Sequence, residues 1–329
     1  LDKMHFVVEE ACKGLSGVSA SQIEMNADLQ FYDGMSSEEI QNILIKSAND
    51  LISLEAPNYQ YAAARLLLYS LQKQVYGRYE HNSLTEIIDA NIDRGVYDSG
   101  IKDKYSQTEL KKMNTWIKHD RNEEFTYAGL RQVVDKYLCQ DRSNGDIFET
   151  PQFMYMMIAA TLFANYPKET RLTYVKKYYD ATSLFKINIP TPVMAGVRTP
   201  IRQFASCVLV DVDDTLSSIF SSNSAIGYYI AQRAGIGINA GRVRAINSKI
   251  RGGEVAHTGV VPFLKVYEST VRSCTQNGVR GGSATTHFPI WHYEIGDILV
   301  LKNNKGTEDN RVRKLDYSIQ INKTFYERL

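Results

Sequence analysis

Hydrophobic positions in the first half of the chain recur at helical spacing in one segment after another. The first such segment, DKMHFVVEEACKGL, predicts a helix that ends at Gly14. Ser36 stands three residues before Glu39, and Ser106 stands three residues before Glu109. Each pair predicts a capping box at the start of a helix. The pattern therefore predicts that the first half of the chain is helical.

Two further segments predict helices of different character. NYQYAAARLLLYSLQKQVYG predicts a helix that ends at Gly77. QFMYMMIAATLFANY is apolar on nearly every side, which predicts a buried helix too short to cross a bilayer. We interpret its methionine and aromatic side chains as core residues rather than as a cofactor site.

The pattern changes near Lys186, where INIPTPVMAGVRTP carries three prolines and predicts an extended, irregular segment. FASCVLVDV then predicts a short buried strand, and SSIFSSNSAIGYYIAQRA predicts a helix capped by Asp214 or Thr215. GIGINAG follows as another short segment, and VVPFLKVYESTVRSC predicts a further helix. Strand, helix and strand with glycine-rich joints indicate α/β architecture, in which ligands bind where strands end and helices begin.

Composition narrows the class of protein. The chain has 329 residues, 43% hydrophobic and 23% charged, as in a folded globular protein. Its net charge is +1, which gives no electrostatic reason to expect nucleic acid or a membrane as partner. The first residues lack the features of a signal peptide, so we expect a cytoplasmic protein. The scattered histidines and the absence of a CxxC pair predict no metal site.

The four cysteines differ in their surroundings. Cys12 and Cys139 stand among helical apolar residues and predict buried free thiols. Cys207 and Cys274 stand beside polar or glycine-rich sequence. Ser206 and Cys207 are adjacent strand residues whose side chains point to opposite faces, so we expect one of them to face a site.

Glycine and arginine mark candidate loops for nucleotides. GIGINAG lacks the spacing of the dinucleotide fingerprint, and turn glycines explain it equally well. The triplet RGG occurs at Arg251–Gly253 and Arg280–Gly282, where backbone N–H groups and a guanidinium suit a nucleotide anion. Ordinary loops explain both triplets equally well.

Asp214 is more informative, because it follows the predicted strand and precedes two arginines in the next turn. Its carboxylate could accept a ribose hydroxyl while Arg242 and Arg244 hold phosphates. The alternative is a helix N-cap, and the two roles are compatible.

The longer motifs add a family resemblance. PTPVMAGVRTPIRQFASCVL, QRAGIGINAGRVRA, RGGEVAHTGVVPF, SCTQNGVRGGSATT and LVLKNN together resemble the large, catalytic subunit of class I ribonucleotide reductase, especially its enterobacterial and phage members. The resemblance runs from Leu1 to Leu329. It implies an incomplete helical nucleotide cone over residues 1–75, a helical domain over 76–200, and the first half of a ten-stranded α/β barrel over 201–329.

The same resemblance implies an activity. The family reduces ribonucleoside diphosphates to deoxyribonucleoside diphosphates by radical chemistry, which supplies precursors for DNA synthesis. A small subunit with a di-metal centre supplies the radical, a thioredoxin or glutaredoxin is the reductant, and the large subunit forms a homodimer. Nucleoside triphosphates (dTTP, dGTP, dATP and ATP, with magnesium) act as allosteric effectors, and no cofactor is expected in this chain.

Roles for individual residues follow from the resemblance alone. Cys207 matches one cysteine of the redox pair, and Cys274 resembles a thiol outside that pair. Gln276 and Arg280 match the loop that relays effector identity to the substrate base. The complete set comprises the catalytic Cys207, the substrate-binding residues Thr191, Ser206, Gly235 and Gly281, and the effector-site residues Asp214, Arg244, Cys274, Gln276 and Arg280.

Departures from the family pattern qualify these expectations. The radical-carrying cysteine, its neighbouring asparagine and glutamate, the second redox cysteine and the C-terminal thiol pair are expected beyond Leu329. We therefore expect no turnover from this chain alone, which is either shortened or one piece of a split subunit and requires the remaining C-terminal half. The alternative hypothesis is a non-catalytic nucleotide-binding or regulatory module.

The cone also departs from the pattern. The β-hairpin that opens it is absent, and Gln41 and Ser70 stand where regulated relatives carry nucleotide-contacting histidines. Ser37 and Lys73 remain as candidate contacts of an overall-activity site. Control of specificity is therefore expected more strongly than on/off control by ATP and dATP.

Overall fold

The computed structural model describes residues 2–78, 80–275 and 281–329, which divide into two compact units, Leu1–Arg202 and Gln203–Leu329. The first unit is helical. Its helices are α1 (Asp2–Cys12), α2 (Ala20–Asp28), α3 (Ser37–Asp50), α4 (Tyr59–Tyr76), α5 (Leu84–Asp93), α6 (Ile101–Lys104), α7 (Gln107–Trp116), α8 (Tyr127–Lys136), α9 (Pro151–Leu162), α10 (Lys168–Ser183) and α11 (Thr191–Gly196), with a 3-10 turn at His119–Glu124.

Local capping chemistry sets several of these boundaries, as the sequence predicts. At the start of α3 the Glu39 N–H donates to Ser36 Oγ (3.2 Å), and the Ser36 N–H donates to the Glu39 carboxylate (2.8 Å). Ser106 forms the same capping box at the start of α7. Helix α4 ends at Gly77, whose φ of +69° places it in the left-handed region. The predicted helix ends are confirmed here.

Helix α9 is the centre of the first unit. Its residues from Pro151 to Ala160 are all buried, so the predicted buried helix is confirmed. A fully buried ion pair lies next to this core, with the Arg198 guanidinium donating to the Glu149 carboxylate. Arg198 also donates to the Met194 carbonyl (2.7 Å) and the Tyr137 carbonyl (2.9 Å). Because a buried charge without its partner is costly, this pair constrains the segment that leaves α11.

The second unit is α/β. Its elements are β1 (Cys207–Asp211), α12 (Leu216–Ala231), β2 (Gly235–Asn239), β3 (Lys249–Ile250), β4 (Val255–Ala256), α13 (Val261–Ser273), β5 (Ala284–Pro289), α14 (Ile295–Ile298), β6 (Asp316–Gln320) and α15 (Lys323–Glu327), with 3-10 turns at Arg251–Gly253 and Glu308–Asn310. Four strands form a parallel sheet in the order β1-β2-β5-β6, and β3 and β4 pair separately. Helices followed by a parallel sheet confirm the predicted fold class.

The register of the parallel strands separates a covered face from an open one. Side chains such as Val210, Ile238 and Phe288 belong to one hydrophobic cluster with residues of α12 and α13. The opposite face of β1 carries Cys207 and Leu209, and Leu209 is 82% exposed. The prediction of a buried strand is therefore wrong for β1, because this strand lies at the sheet edge and the helices cover only one face.

The structure shows which of the two residues predicted to cap α12 is its N-cap. Thr215 Oγ1 accepts a hydrogen bond from the Ser218 N–H (3.1 Å), so Thr215 is the N-cap. The Asp214 carboxylate instead accepts hydrogen bonds from Arg244. None of the helices in the described residues combines the length and apolar character that crossing a bilayer requires.

Two histidines stack in the first unit. The rings of His81 and His119 lie 3.6 Å apart at 7°, and Tyr76 and Phe153 contact them edge-on. Burial lowers the pKa of both imidazoles, and lowers that of His119 to about 4. The Nδ1 atom of each ring is buried without a hydrogen-bond partner. The stack therefore favours two neutral rings.

This stack predicts a loss of stability in mild acid. The unfolded chain protonates these histidines near pH 6.5, whereas folded His119 resists protonation until about pH 4. Stability contributed by the neutral ring is complete above pH 6.5 and declines as the pH falls through this window. His119→Phe keeps an aromatic ring but has no group that titrates. We expect its melting temperature, measured by thermal unfolding, to fall less than that of the parent between pH 6.5 and about pH 4. His5→Gln is the control, because neighbouring Glu24 raises the pKa of His5. An equal decline in parent and His119→Phe would contradict the prediction.

Candidate nucleotide and thiol sites

The candidate residues of the second unit lie at opposite ends of the parallel sheet. Cys207 begins β1 at the amino end, whereas Asp211 ends it at the carboxyl end, just before Asp214. Carboxyl ends of parallel strands are the usual place for ligands in open α/β sheets.

Asp214 and Arg244 pair directly at the carboxyl end. Asp214 Oδ1 accepts the Arg244 backbone N–H (2.9 Å), and Oδ2 accepts the Arg244 side-chain Nε–H (2.6 Å). Both side chains line a cavity of about 350 Å³, which we call the carboxyl-end pocket. Its other lining residues are Thr215, Leu216, Ile219, Ile250, Val255, Ala256, His257, Thr258 and Phe263.

Part of the lining of the carboxyl-end pocket is aromatic and apolar. The His257 ring stacks near the Phe263 ring, with centroids 5.8 Å apart at an angle of 30°. The first turn of α12 also faces the pocket, and a helix N-terminus favours negative charge. A guanidinium, a helix N-terminus and a flat apolar surface in one pocket suit the phosphates and the base of a nucleotide.

Arg242 does not share this pocket. Its guanidinium pairs with Asp211 (2.9 Å) and Asp213 (2.8 Å) on the exposed surface. Hydrogen bonding to Asp213, together with the charge of Asp211, raises the pKa of Arg242. The two arginines considered together in the sequence therefore have different surroundings, and Arg244 alone lines the pocket.

At the amino end, the structure brings three of the candidate residues together. Cys207 is exposed and stands opposite Gly235 in the β1–β2 register. The Gly235 N–H donates to the Ser206 carbonyl (2.9 Å). Gly281 is exposed and precedes β5 by three residues. Gln276 and Arg280 lie outside the described residues.

Thr191 belongs to the first unit, where it begins α11. Its hydroxyl lies 3.4 Å from the Tyr137 hydroxyl. Tyr137 also borders a cavity of about 510 Å³ formed by side chains around α8, α9, α10 and α11. No pattern in the sequence pointed to this cavity, because its lining residues come from helices and connecting segments spread between positions 124 and 194.

The remaining cysteines occupy less accessible places. Cys139 is buried, as predicted, and Cys12 is only partly buried. Burial raises the pKa of the Cys12 thiol to about 11, which disfavours the reactive thiolate. Cys274 is partly buried, and a Cβ placed on Gly227 of α12 would lie 3.3 Å from its sulfur. Of the four thiols, Cys207 is the exposed one.

A separate cavity of about 480 Å³ lies in the first unit beside α3 and α4. It brings together the predicted Ser37 and Lys73 with Gln41 and Ser70; the other lining residues are Glu38, Tyr69, Gln74, Asn144 and Asp146. Gln41 Nε2 donates to the Leu66 carbonyl (2.8 Å) and so spans the two helices. These lining residues include one ammonium group, of Lys73, and two carboxylates, of Glu38 and Asp146, a charge balance that disfavours a triphosphate.

Within the residues that the structure describes, no three histidine, cysteine or acidic side chains converge as a metal site would require.

Comparison with known families assigns three parts of the chain. A model described as "Ribonucleotide reductase, barrel domain" matches residues 205–329, and one described as "Ribonucleotide reductase, all-alpha domain" matches residues 123–202. An "ATP cone domain" model matches residues 1–74. The chain is therefore a multidomain protein with an ATP cone, an all-α region and barrel sequence.

Curated relatives agree with this assignment. The chain is 53% identical over 329 residues to ribonucleoside-diphosphate reductase 1 subunit alpha of Escherichia coli, and 52% identical to that of Salmonella typhimurium. It is 48% identical over 314 residues, 95% of the chain, to the subunit alpha of Enterobacteria phage T4. The chain belongs to the ribonucleotide reductase large-subunit family and corresponds to its N-terminal region. It spans 43% of the length of the two bacterial relatives and 42% of the phage relative.

The geometry of the carboxyl-end pocket predicts how single substitutions affect triphosphate binding. We expect Arg244→Ala, and Asp214→Ala through loss of the Arg244 contact, to weaken dTTP binding by roughly tenfold or more, because a charge-assisted contact is removed. Arg242→Ala is the matched control and should bind as the parent does. Calorimetric titration with dTTP measures the affinities. Unchanged affinity in both the Asp214 and the Arg244 variants would contradict the assignment.

Proposed function

We propose that this chain forms the N-terminal part of a ribonucleoside-diphosphate reductase large subunit. In the assembled enzyme, ribonucleoside diphosphates are reduced to deoxyribonucleoside diphosphates by radical chemistry, and nucleoside triphosphates select the substrate. The observation that carries the proposal is the arrangement of the second unit, with an exposed thiol at one end of the parallel sheet and the carboxyl-end pocket at the other. The names of the relatives support it.

In this proposal Cys207 is half of a dithiol, and the two thiols together supply one electron pair and two protons to the reduction. The thiol and its partner are oxidised to a disulfide while the substrate is reduced, and a thioredoxin or glutaredoxin restores the dithiol. Exposure of Cys207 on the open face of β1 supports this role, because both substrate and the partner thiol must reach the sulfur. Ser206, Gly235, Gly281 and Thr191 are proposed to bind the substrate.

The carboxyl-end pocket is proposed as the effector site. Arg244, oriented by Asp214, faces the phosphates, and the wall of His257 and Phe263 faces the base. Magnesium would accompany the triphosphate through the phosphate oxygens. Cys274, Gln276 and Arg280 are proposed to belong to the loop that relays the effector to the substrate.

A homodimer is proposed through the helix beside this pocket. Leu216, Phe220 and Tyr228 recur every four or eight residues along α12 and are exposed. An exposed apolar stripe on a helix is typical of a surface that another helix covers. A second copy of the chain is the proposed occupant, which would bring two carboxyl-end pockets near the dimer axis.

The other proposed partners are the remaining part of the large subunit and a small subunit whose di-metal centre provides the radical. The complete enzyme is proposed to act in the cytoplasm. On/off control through the cavity of Ser37 and Lys73 is a weaker proposal, because Glu38 and Asp146 oppose the single lysine there.

The proposal predicts opposite outcomes for two cysteine variants. In a complete assembly of this chain, a polypeptide carrying the missing catalytic cysteines, the radical-supplying subunit and a dithiol reductant, the parent should form dCDP from CDP over many turnovers. Cys207→Ser should abolish multiple turnover, because no disulfide can form. Cys12→Ser is the matched control and should retain turnover, because Cys12 lies at the end of α1, outside the proposed sites.

Two results would contradict the proposal in different ways. Turnover by Cys207→Ser at the parent rate would exclude the redox role of Cys207. Absence of dCDP with the parent, in an assembly that binds dTTP, would favour a non-catalytic nucleotide-binding module instead.

A further inference from the structure

Glu294 is a nearly buried carboxylate that lies outside the carboxyl-end pocket. It follows β5 and precedes α14, and it is 5% exposed. Its Oε2 atom accepts two backbone hydrogen bonds, from the Ile246 N–H (2.9 Å) and from the Val260 N–H (3.1 Å). A buried carboxylate is costly unless such donors compensate for lost water, so these two contacts define its position.

The two donors belong to two segments of the chain that supply residues of the carboxyl-end pocket, which we call its arginine wall and its aromatic wall. Ile246 follows Arg244 by two residues in the segment of the arginine wall. Val260 is the N-cap residue of α13, the helix that carries Phe263, and it follows His257 by three residues. The N-cap side chain of α13 makes no capping hydrogen bond, so the Glu294 carboxylate serves that helix terminus from elsewhere in the chain. One oxygen atom thus joins both walls.

Neighbouring residues restrict where this carboxylate can lie. Gly259 has a φ of +88°, and a Cβ there would lie 2.5 Å from Glu294 Oε1, so a side chain at this position would displace the carboxylate. On the other side, His292 Nδ1 accepts the Glu294 N–H (3.1 Å), which leaves its Nε2–H to donate to the Val243 carbonyl (2.9 Å). His292 therefore fixes the segment before Arg244 as Glu294 fixes the segment after it.

We propose that Glu294 is a positioning residue of the carboxyl-end pocket. It sets the distance between the arginine wall and the aromatic wall, and so sets the affinity for a nucleoside triphosphate that it does not itself touch. The inference rests on the proposed effector function of this pocket. A residue that only stabilised the fold would change the melting temperature and leave the affinity of the folded protein unaltered.

The test compares two substitutions of similar size. Glu294→Met removes the acceptor and leaves two buried N–H groups unpaired, so we expect dTTP affinity to fall by roughly tenfold, because each unpaired donor favours movement of its wall. Glu294→Gln keeps one carbonyl oxygen that can accept both N–H groups, and we expect it to retain affinity within about threefold. Affinities are measured by calorimetry well below the melting temperature of each variant. Parent-like dTTP affinity in Glu294→Met would overturn the proposal.

Gly259→Ala tests the position of the Glu294 carboxylate without changing Glu294 itself. The added methyl group displaces the carboxylate, so dTTP affinity should fall in the same direction as in Glu294→Met. Gly34→Ala is the matched control, because Gly34 has a similar φ of +87° and its Cβ would meet no atom within 4 Å. Equal affinities in the two alanine variants would contradict the proposed geometry.

Amide hydrogen exchange tests the positioning role of Glu294 independently of the proposed effector function. In Glu294→Met the amides of Ile246 and Val260 should exchange faster, whereas those of β2 and β5 should not change. If the parent binds no dTTP, the effector function is wrong, and exchange still decides whether Glu294 joins the two walls. Unchanged exchange at both amides would refute the positioning role whether or not dTTP binds.

Discussion

The pairing of β1 with β2 is the constraint on which the rest of the second unit depends. The ladder runs from Cys207 opposite Gly235 to Asp211 opposite Asn239. A slip of one residue would turn Cys207 to the covered face and expose Val208 and Val210 in its place. Gly237 supports this register, because a Cβ there would lie 2.6 Å from the Leu209 side chain. The ladder therefore fixes the thiol on the open face.

The same ladder separates the two candidate sites. Four residue steps along β1 correspond to about 13 Å, so the thiol and the acidic carboxyl end lie too far apart to contact the same reacting group. Helix α12 begins directly after Asp214, and its packing against the covered face orients the pocket. Any influence of a bound triphosphate on the thiol end must pass through the strands or through the loops that join them. The proposed roles, selection at one end and reduction at the other, need this separation.

Much of the local structure could be predicted from the sequence because its causes are local. The capping boxes of Ser36 and Ser106 depend on residues three positions apart, and the burial of α9 follows from its uninterrupted apolar surface. Exposure of β1 could not be predicted in this way. A run such as CVLVD fits a central or an edge strand equally well, and only the sheet order decides between them.

The same difference between local and long-range causes applies to the candidate site. Asp214 and Arg244 were identified from their positions after strands, but their direct ion pair joins residues 30 positions apart and depends on the β1–β2 pairing. The role of Glu294 could not be predicted from the sequence, because its partners are backbone N–H groups of distant residues, and such contacts produce no sequence motif. His257 and Phe263 likewise became a wall of the pocket only through the placement of α13.

The most direct test of the account is a crystal structure of the chain with dTTP and magnesium bound. The account predicts triphosphate density beside Arg244 and the first turn of α12, with the base against the wall of His257 and Phe263. Density for dTTP at the amino end beside Cys207, or only in the cavity of Ser37 and Lys73, would contradict it.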